Sequence, residues 1–155
     1  MQPNFQNNQY LIVDELSYHF EDPQRGEVIV FKQQINNKDL FLLKRVIGLP
    51  GERVSISEGK ITIYNNAHPE GIALNESYLP ADLLTSGKET VTLDKDQYFV
   101  LGDNRSNSKD SRYFGPITRS QITGRVFLRG WPFNEVTVFK TPQFNYAVSS
   151  SSTTP

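Results

Sequence analysis

The run Asp39-Leu40-Phe41-Leu42-Leu43-Lys44-Arg45-Val46-Ile47-Gly48-Leu49-Pro50-Gly51 constrains this chain more than any other segment. It is an apolar stretch of strand length, closed by Pro-Gly, with a lysine at its centre. With the two-residue period of a strand, Leu40, Leu42, Lys44 and Val46 share one face, and Phe41, Leu43, Arg45 and Ile47 the other. Lys44 therefore has three aliphatic companions on its face and no acid. An ammonium held against apolar surface loses hydration, so its pKa falls and the neutral amine becomes accessible near neutral pH. Such an amine can act as a general base. Alone, the pattern also fits a lysine that snorkels from a strand edge into water, and the rest of the chain has to decide between them.

Short apolar runs separated by turn signals dominate that remainder, which predicts a mostly β protein. Tyr10–Val13, Glu27–Phe31, Gln97–Leu101 and Arg125–Arg129 read as strands around the lysine strand. Leu49-Pro50-Gly51-Glu52 suits a type II turn. Arg53–Ile56 and Lys60–Tyr64 alternate across Ser57-Glu58-Gly59 as a hairpin. Arg119–Ile122 resembles a short helix, His19 is expected in a strand, and His68 in a loop. Residues 65–89 are poorly periodic and read as a long surface excursion on one domain spanning 1–140. Residues 141–155 form a tail, expected to be disordered from about residue 149 because its Ser/Thr-rich end has no apolar content.

Composition narrows the chemistry by exclusion. Sixteen basic residues against seventeen acidic ones leave a net charge of -1, without the clustered basic face a nucleic-acid partner requires. There is no cysteine and there are only two histidines, so disulfides and thiolate metal sites are excluded. A Ser-His-Asp triad or a multi-histidine metal centre is a poor match, and no metal or cofactor is expected. No apolar run approaches the roughly eighteen residues of a membrane span, and Met1-Gln2-Pro3-Asn4-Phe5 does not open a signal peptide.

The second informative segment is Gly102-Asp103-Asn104-Arg105-Ser106-Asn107-Ser108-Lys109-Asp110-Ser111-Arg112-Tyr113-Phe114-Gly115-Pro116. Asn, Asp and Ser stabilise tight turns by bonding nearby backbone, so the loop by itself fits a long solvated turn. It follows an apolar strand directly, however, and ends in aromatics and Gly-Pro. A polar loop pinned between core strands is a common place for a site. Asp103 and Asp110 are expected to pair with Arg45, Arg105 or Arg112.

These two segments, with others in order, resemble the catalytic domain of type I (leader) signal peptidases, membrane-bound serine endopeptidases with a Ser/Lys dyad. Met1-Gln2-Pro3 resembles the end of the family's Ser-Met-x-Pro box, with Asn4 where threonine is usual. Ile12–Tyr18 and Arg25-Gly26-Glu27-Val28-Ile29-Val30-Phe31 follow, the latter with Glu for the commoner Asp. Lys44–Gly51 matches the lysine box, and Gly102-Asp103-Asn104-Arg105, Asn107-Ser108 and Asp110–Tyr113 match the last box. Gly124-Arg125 and Trp131-Pro132 resemble the closing strand.

The resemblance implies a signal-peptidase-like fold of twisted antiparallel sheets with little helix. It makes Lys44 the general base and Ser108 the residue that orients it. Asp103, Arg45, Asp110 and Arg112 would support the loop. Met1, Phe5, Leu42 and Leu43 would line a pocket for the substrate residue at −1, and Leu11, Val30, Phe41 and Leu43 one for −3. For each of these, core packing is the alternative. The implied partners are signal peptides of secreted preproteins and the membrane surface, with the catalytic domain on the extracytoplasmic side of the cell membrane. The family's nucleophile is the serine directly before Met-x-Pro, and here Met1 is the first residue. The sequence is therefore read as a fragment without the nucleophile or the N-terminal transmembrane segment, inactive by itself. Two other readings remain: a catalytically dead peptide-binding relative, and another Ser/Lys protease such as a self-cleaving repressor domain.

Overall fold

A computed structural model describes residues 1–142 and 144. Its strands are β1 (Tyr10–Asp14), β2 (Val28–Ile35), β3 (Lys38–Gly48), β4 (Arg53–Ser57), β5 (Lys60–Tyr64), β6 (Ile72–Ala73), β7 (Glu89–Thr92), β8 (Gln97–Leu101), β9 (Ile117–Thr118), β10 (Ile122–Trp131) and β11 (Thr137–Val138). One short helix, α1 (Ser111–Phe114), interrupts them. The larger sheet runs β1-β10-β2-β3-β8-β9, with β11 added to β10, and the smaller runs β6-β5-β4-β7. The paired strands are antiparallel. The mostly β expectation holds.

Period-two patterning divides single strands between two cores. In β8, Tyr98 and Val100 pack with Ile29, Phe31, Val46 and Ile117 on one face. Phe99 and Leu101 pack on the other with Ile47, Val54, Ile56, Ile61 and Ile63. A strand buried on both faces cannot shift register by one residue without exchanging both sets. The β3–β8 pair is thereby fixed, with Arg45 opposite Leu101 and Val46 opposite Val100. A third, smaller group gathers Phe5, Val28 and Val126.

Turn chemistry explains most of the connections. Gly51 has φ +78° and the Glu52 N–H donates to Leu49 O at 3.1 Å, as a type II turn requires. Glu58 and Gly59, at φ +53° and +77°, close the β4–β5 hairpin. The β2–β3 ribbon is longer than the sequence suggests. Its register runs from Val28↔Arg45 to Ile35↔Lys38 and closes through Asn36 and Asn37, both left-handed at φ +51° and +58°. Two consecutive left-handed residues make the type I′ turn whose twist suits a hairpin, and asparagine tolerates that region better than most residues.

Two local expectations are corrected. His19 is not in a strand but exposed in a 3₁₀ turn, Ser17–His19. The Asp14 carboxylate accepts the N–H groups of Leu16 and Ser17, both at 3.1 Å, and turns the chain as β1 ends. The excursion over 65–89 is not wholly superficial either. Its β6 extends the smaller sheet, Ile72 is core, and Thr85 is buried. At the other doubtful segment, the short helix is the 3₁₀ turn Arg119–Gln121, where Gln121 Oε1 accepts the Thr118 N–H at 2.8 Å. The tail expected to be disordered from about residue 149 lies outside the described residues.

The turn assignment gives a direct test. Asn37→Val places a β-branched residue at φ +58°, which should lower unfolding free energy by about 1–2 kcal/mol. Asn37→Gly should leave stability equal or higher. Urea titration of the two variants measures the difference.

Candidate active site

β8 stops at Leu101, opposite Arg45, while β3 continues outward to Lys38. Upstream of Arg45, β3 is bonded to β2 on one side and to no described strand on the other. Lys44 is the first residue of this open edge. Its face companions Leu42 and Val46 pack with the Tyr18, Ile29 and Phe31 group, as the period predicts. The amine is half-buried and makes no hydrogen bond or ion pair among the described residues. Burial pushes its pKa below the ordinary lysine value, against a smaller upward pull from Asp110 and Asp103.

The polar loop reaches this amine through Gly102. A Cβ on Gly102 would lie 2.7 Å from Ser108 Cβ and 3.6 Å from Lys44 Cδ, and would collide with Ser108 Oγ. A side chain at position 102 would therefore displace Ser108. The Ser108 hydroxyl is buried and forms no hydrogen bond of regular geometry among the described residues, although it lies near enough to Asp110 to favour its ionised form. The Met1 amino group is within electrostatic reach of Lys44 and Asp103. It has a lowered pKa from burial and from the Lys44 charge, partly offset by Asp103.

Three arginine–carboxylate forks hold the loop. Arg45 donates from Nε to Asp103 Oδ1 at 2.9 Å and from Nη2 to Oδ2 at 2.7 Å, while its Nη1 reaches Gly26 O at 2.8 Å. Asp103 is 0% exposed and Arg45 6%. Arg112 grips Asp110 through Nε at 2.9 Å and Nη2 at 2.8 Å. Arg105 departs from expectation. It pairs with Glu76 of the excursion and donates to Thr85 Oγ1 at 2.5 Å and from Nε to Gly102 O at 3.1 Å. Where β9 ends, loop side chains replace it as partners of β8: Asp110 Oδ2 accepts the Gly102 N–H at 3.0 Å and Ser111 Oγ the Val100 N–H at 2.9 Å. Burial would raise the Asp110 pKa, but Arg112 and the Gly102 N–H outweigh it and hold the carboxyl below its usual range.

The expected pocket residues divide. Met1, Leu11, Val30 and Leu43 pack together against Phe5, Val28 and Val126. Leu42 sits on the opposite face of β3, with the Tyr18 group, because it is one residue out of phase with Leu43. Phe41 is 67% exposed on the projecting ribbon.

The profile of the signal peptidase, peptidase S26 family matches residues 1–131. The chain belongs to this family. It is 41% identical over 141 residues to a probable signal peptidase I-2 of Synechocystis sp., covering 88% of this chain and 61% of that protein. It is 42% identical to a signal peptidase I of Leptolyngbya laminosa (88% and 66%) and 34% identical to signal peptidase IB of Staphylococcus aureus (87% and 75%). The chain thus spans under two thirds of the length of the first two. A crystal structure of a signal peptidase I from Enterococcus faecalis superimposes with a TM-score of 0.55 at 30% identity, covering 68% of this chain and 97% of that one. Among the described residues no helix is long and apolar enough to cross a membrane.

Reading the peptidase motifs missed three supports. Asn4 Nδ2 donates to Asp103 Oδ2 at 2.7 Å and to Tyr78 O at 3.1 Å, and the Tyr78 ring lies 4.0 Å from the Arg45 guanidinium. Glu76 completes the Arg105 site. Asn4 was visible only as a departure from the usual threonine, and Glu76 and Tyr78 carried no local signal.

Removing the Asp103 carboxylate leaves Arg45 buried and uncompensated, so Asp103→Ala should cost about 3–5 kcal/mol by denaturant unfolding. The exposed Lys32–Asp39 pair, at 2.6 Å, should lose less than about 1 kcal/mol in Asp39→Ala. Asp110 sets a pH dependence. Its folded pKa is depressed, so its stabilisation is complete above the unfolded value and lost as pH falls through the folded one. Asp110→Asn should therefore flatten the acid limb of a stability–pH curve.

Proposed function

We propose that this chain is the catalytic part of a serine endopeptidase that removes N-terminal signal peptides from secreted preproteins, with Lys44 as general base and a serine joined to Met1 as nucleophile. The observation that carries the reading is the half-buried Lys44 amine, unpaired among the described residues and with a lowered pKa, at the open edge of β3 and within electrostatic reach of the Met1 amino group.

The chemistry follows from one neutral lysine. Serine Oγ attacks the scissile carbonyl carbon while Lys44 Nζ takes its proton. Lys44 then gives that proton to the departing amine as the C–N bond breaks. The same amine next deprotonates a water that attacks the acyl ester, and the proton returns to the serine oxygen. Ser108 directs the amine. The open edge of β3 offers backbone groups to an extended peptide as an added strand. Met1, Phe5, Leu11, Val30 and Leu43 form the apolar wall that admits only small side chains at −1 and −3.

The same reading places the domain at the extracytoplasmic face of the cell membrane, anchored by an N-terminal span, with no nucleic-acid role. Trp131 is 43% exposed, stands edge-on to exposed Phe133 at 4.7 Å, and pairs across β1 with exposed Tyr10. Tryptophan suits a bilayer interface, so this edge is the proposed membrane contact. Fluorescence of the single tryptophan should shift blue on adding lipid vesicles, and an unchanged spectrum would remove the contact.

Activity tests follow directly. Replacing the serine before Met1 by alanine should lower turnover on an Ala-x-Ala peptide by about six orders of magnitude. A chain carrying the preceding segment with its serine should cleave after the −1 alanine. In that chain Lys44→Ala and Lys44→Arg should both be dead while folded, since arginine does not deprotonate in proteins. Ser108→Ala should lower kcat more than it raises KM. Between neutral and alkaline pH, kcat/KM should rise as Lys44 loses its proton and level off below the ordinary lysine range. Turnover by the arginine variant would exclude the dyad.

A further inference from the structure

Residues beyond the family match also reach the cleft. In 133–140 every residue is exposed except Phe139, which turns inward against Phe5. The two rings stack with centroids 4.9 Å apart at 30°. The Arg129 guanidinium lies 5.8 Å from the Phe5 ring and 5.5 Å from the Phe139 ring, and donates to Asn4 O at 2.5 Å. The Phe139 segment is tied down on both sides. Val138 pairs with Leu128, the Phe139 N–H donates to Phe127 O at 2.9 Å, and Thr141 Oγ1 donates to Glu27 Oε1 at 3.2 Å. Beside Phe139 is a cleft of about 280 Å³, lined by Gly26, Val28 and Val126 among others. The space next to the Phe139 ring is therefore not filled by a packed core; Phe139 borders it and Phe5 does not, the Phe5 ring being stacked on Phe139.

We propose that Phe139 is a specificity-determining residue, which holds the Phe5 ring forward and so limits the size of side chain accepted at −1. This rests on the peptidase reading above. Phe139 does not touch the reacting atoms; it acts through Phe5, and the stop is a matter of volume. Truncating it should let Phe5 move back and deepen the pocket. A methylene or two of extra depth changes discrimination between neighbouring aliphatic substrates by about tenfold or more. A purely structural role would instead lower turnover of every substrate together and leave their ratio alone.

The test uses the serine-bearing chain and two peptides that differ only in alanine or valine at −1. Phe139→Ala should raise the valine-to-alanine ratio of kcat/KM by about tenfold, Phe139→Leu should fall between, and Phe139→Tyr should keep the parental ratio. If the alanine variant does not fold, as judged by melting, the leucine variant carries the test with a shift in the same direction. An unchanged ratio in a folded variant that still cleaves the alanine peptide would overturn the proposal. Failure of the parent to cleave either peptide is a different result, and would reject the peptidase reading itself.

Discussion

The buried fork between Arg45 and Asp103 is the contact on which the lysine strand, the polar loop and the N-terminal turn converge. Arg45 is one residue from the lysine, on the other face of β3, and Asp103 is two residues beyond the end of β8. Their bidentate contact fixes where the loop leaves the sheet. Asp103 also accepts from Asn4, and its N–H meets Met1 Sδ at 3.4 Å, so the N-terminal turn is held by the same carboxylate. Arg45 adds Gly26 O and the face of Tyr78. Such a pair adds little net stability over an apolar substitute, because both ions must be desolvated. What it provides is geometry: remove either charge and the other is stranded in the interior.

That geometry governs the electrostatics of Lys44. Two carboxylates near a lysine would ordinarily keep it charged. Here each is paired with an arginine, Asp103 with Arg45 and Asp110 with Arg112, and their upward pull on the lysine is smaller than the effect of burial. Burial is then the larger influence and the amine shifts toward its neutral form. Arg105 and Glu76 extend the same arrangement to the excursion, which explains why a stretch without strand periodicity is nonetheless held against the site.

Much of this was legible in the residues. The two-residue period of 40–47 correctly put Lys44 with Leu42 and Val46, and Gly51 and Gly59 marked their turns because glycine takes left-handed backbone without a Cβ penalty. The loop was recognisable by its density of Asp, Asn and Ser between apolar strands. Other features depended on contacts that sequence distance hides. Arg105 was offered two acids within its own loop and took Glu76, 29 residues away. Asn36-Asn37 was passed over because neither residue is glycine, and β2 was read as ending too early. His19 was placed in a strand because nothing in its neighbours revealed that Asp14 would turn the chain. Leu42 and Leu43 were assigned to one pocket although the period that placed Lys44 also separates them.

The central claim is that burial lowers the Lys44 pKa in the folded protein. Its direct measurement is an NMR titration of the Lys44 side chain, assigned by comparison with Lys44→Arg, in the folded chain. The account predicts a midpoint clearly below the ordinary lysine value of 10.5, with the shift abolished when the chain is unfolded in urea. A Lys44 that titrates in the ordinary lysine range in the folded protein would contradict it.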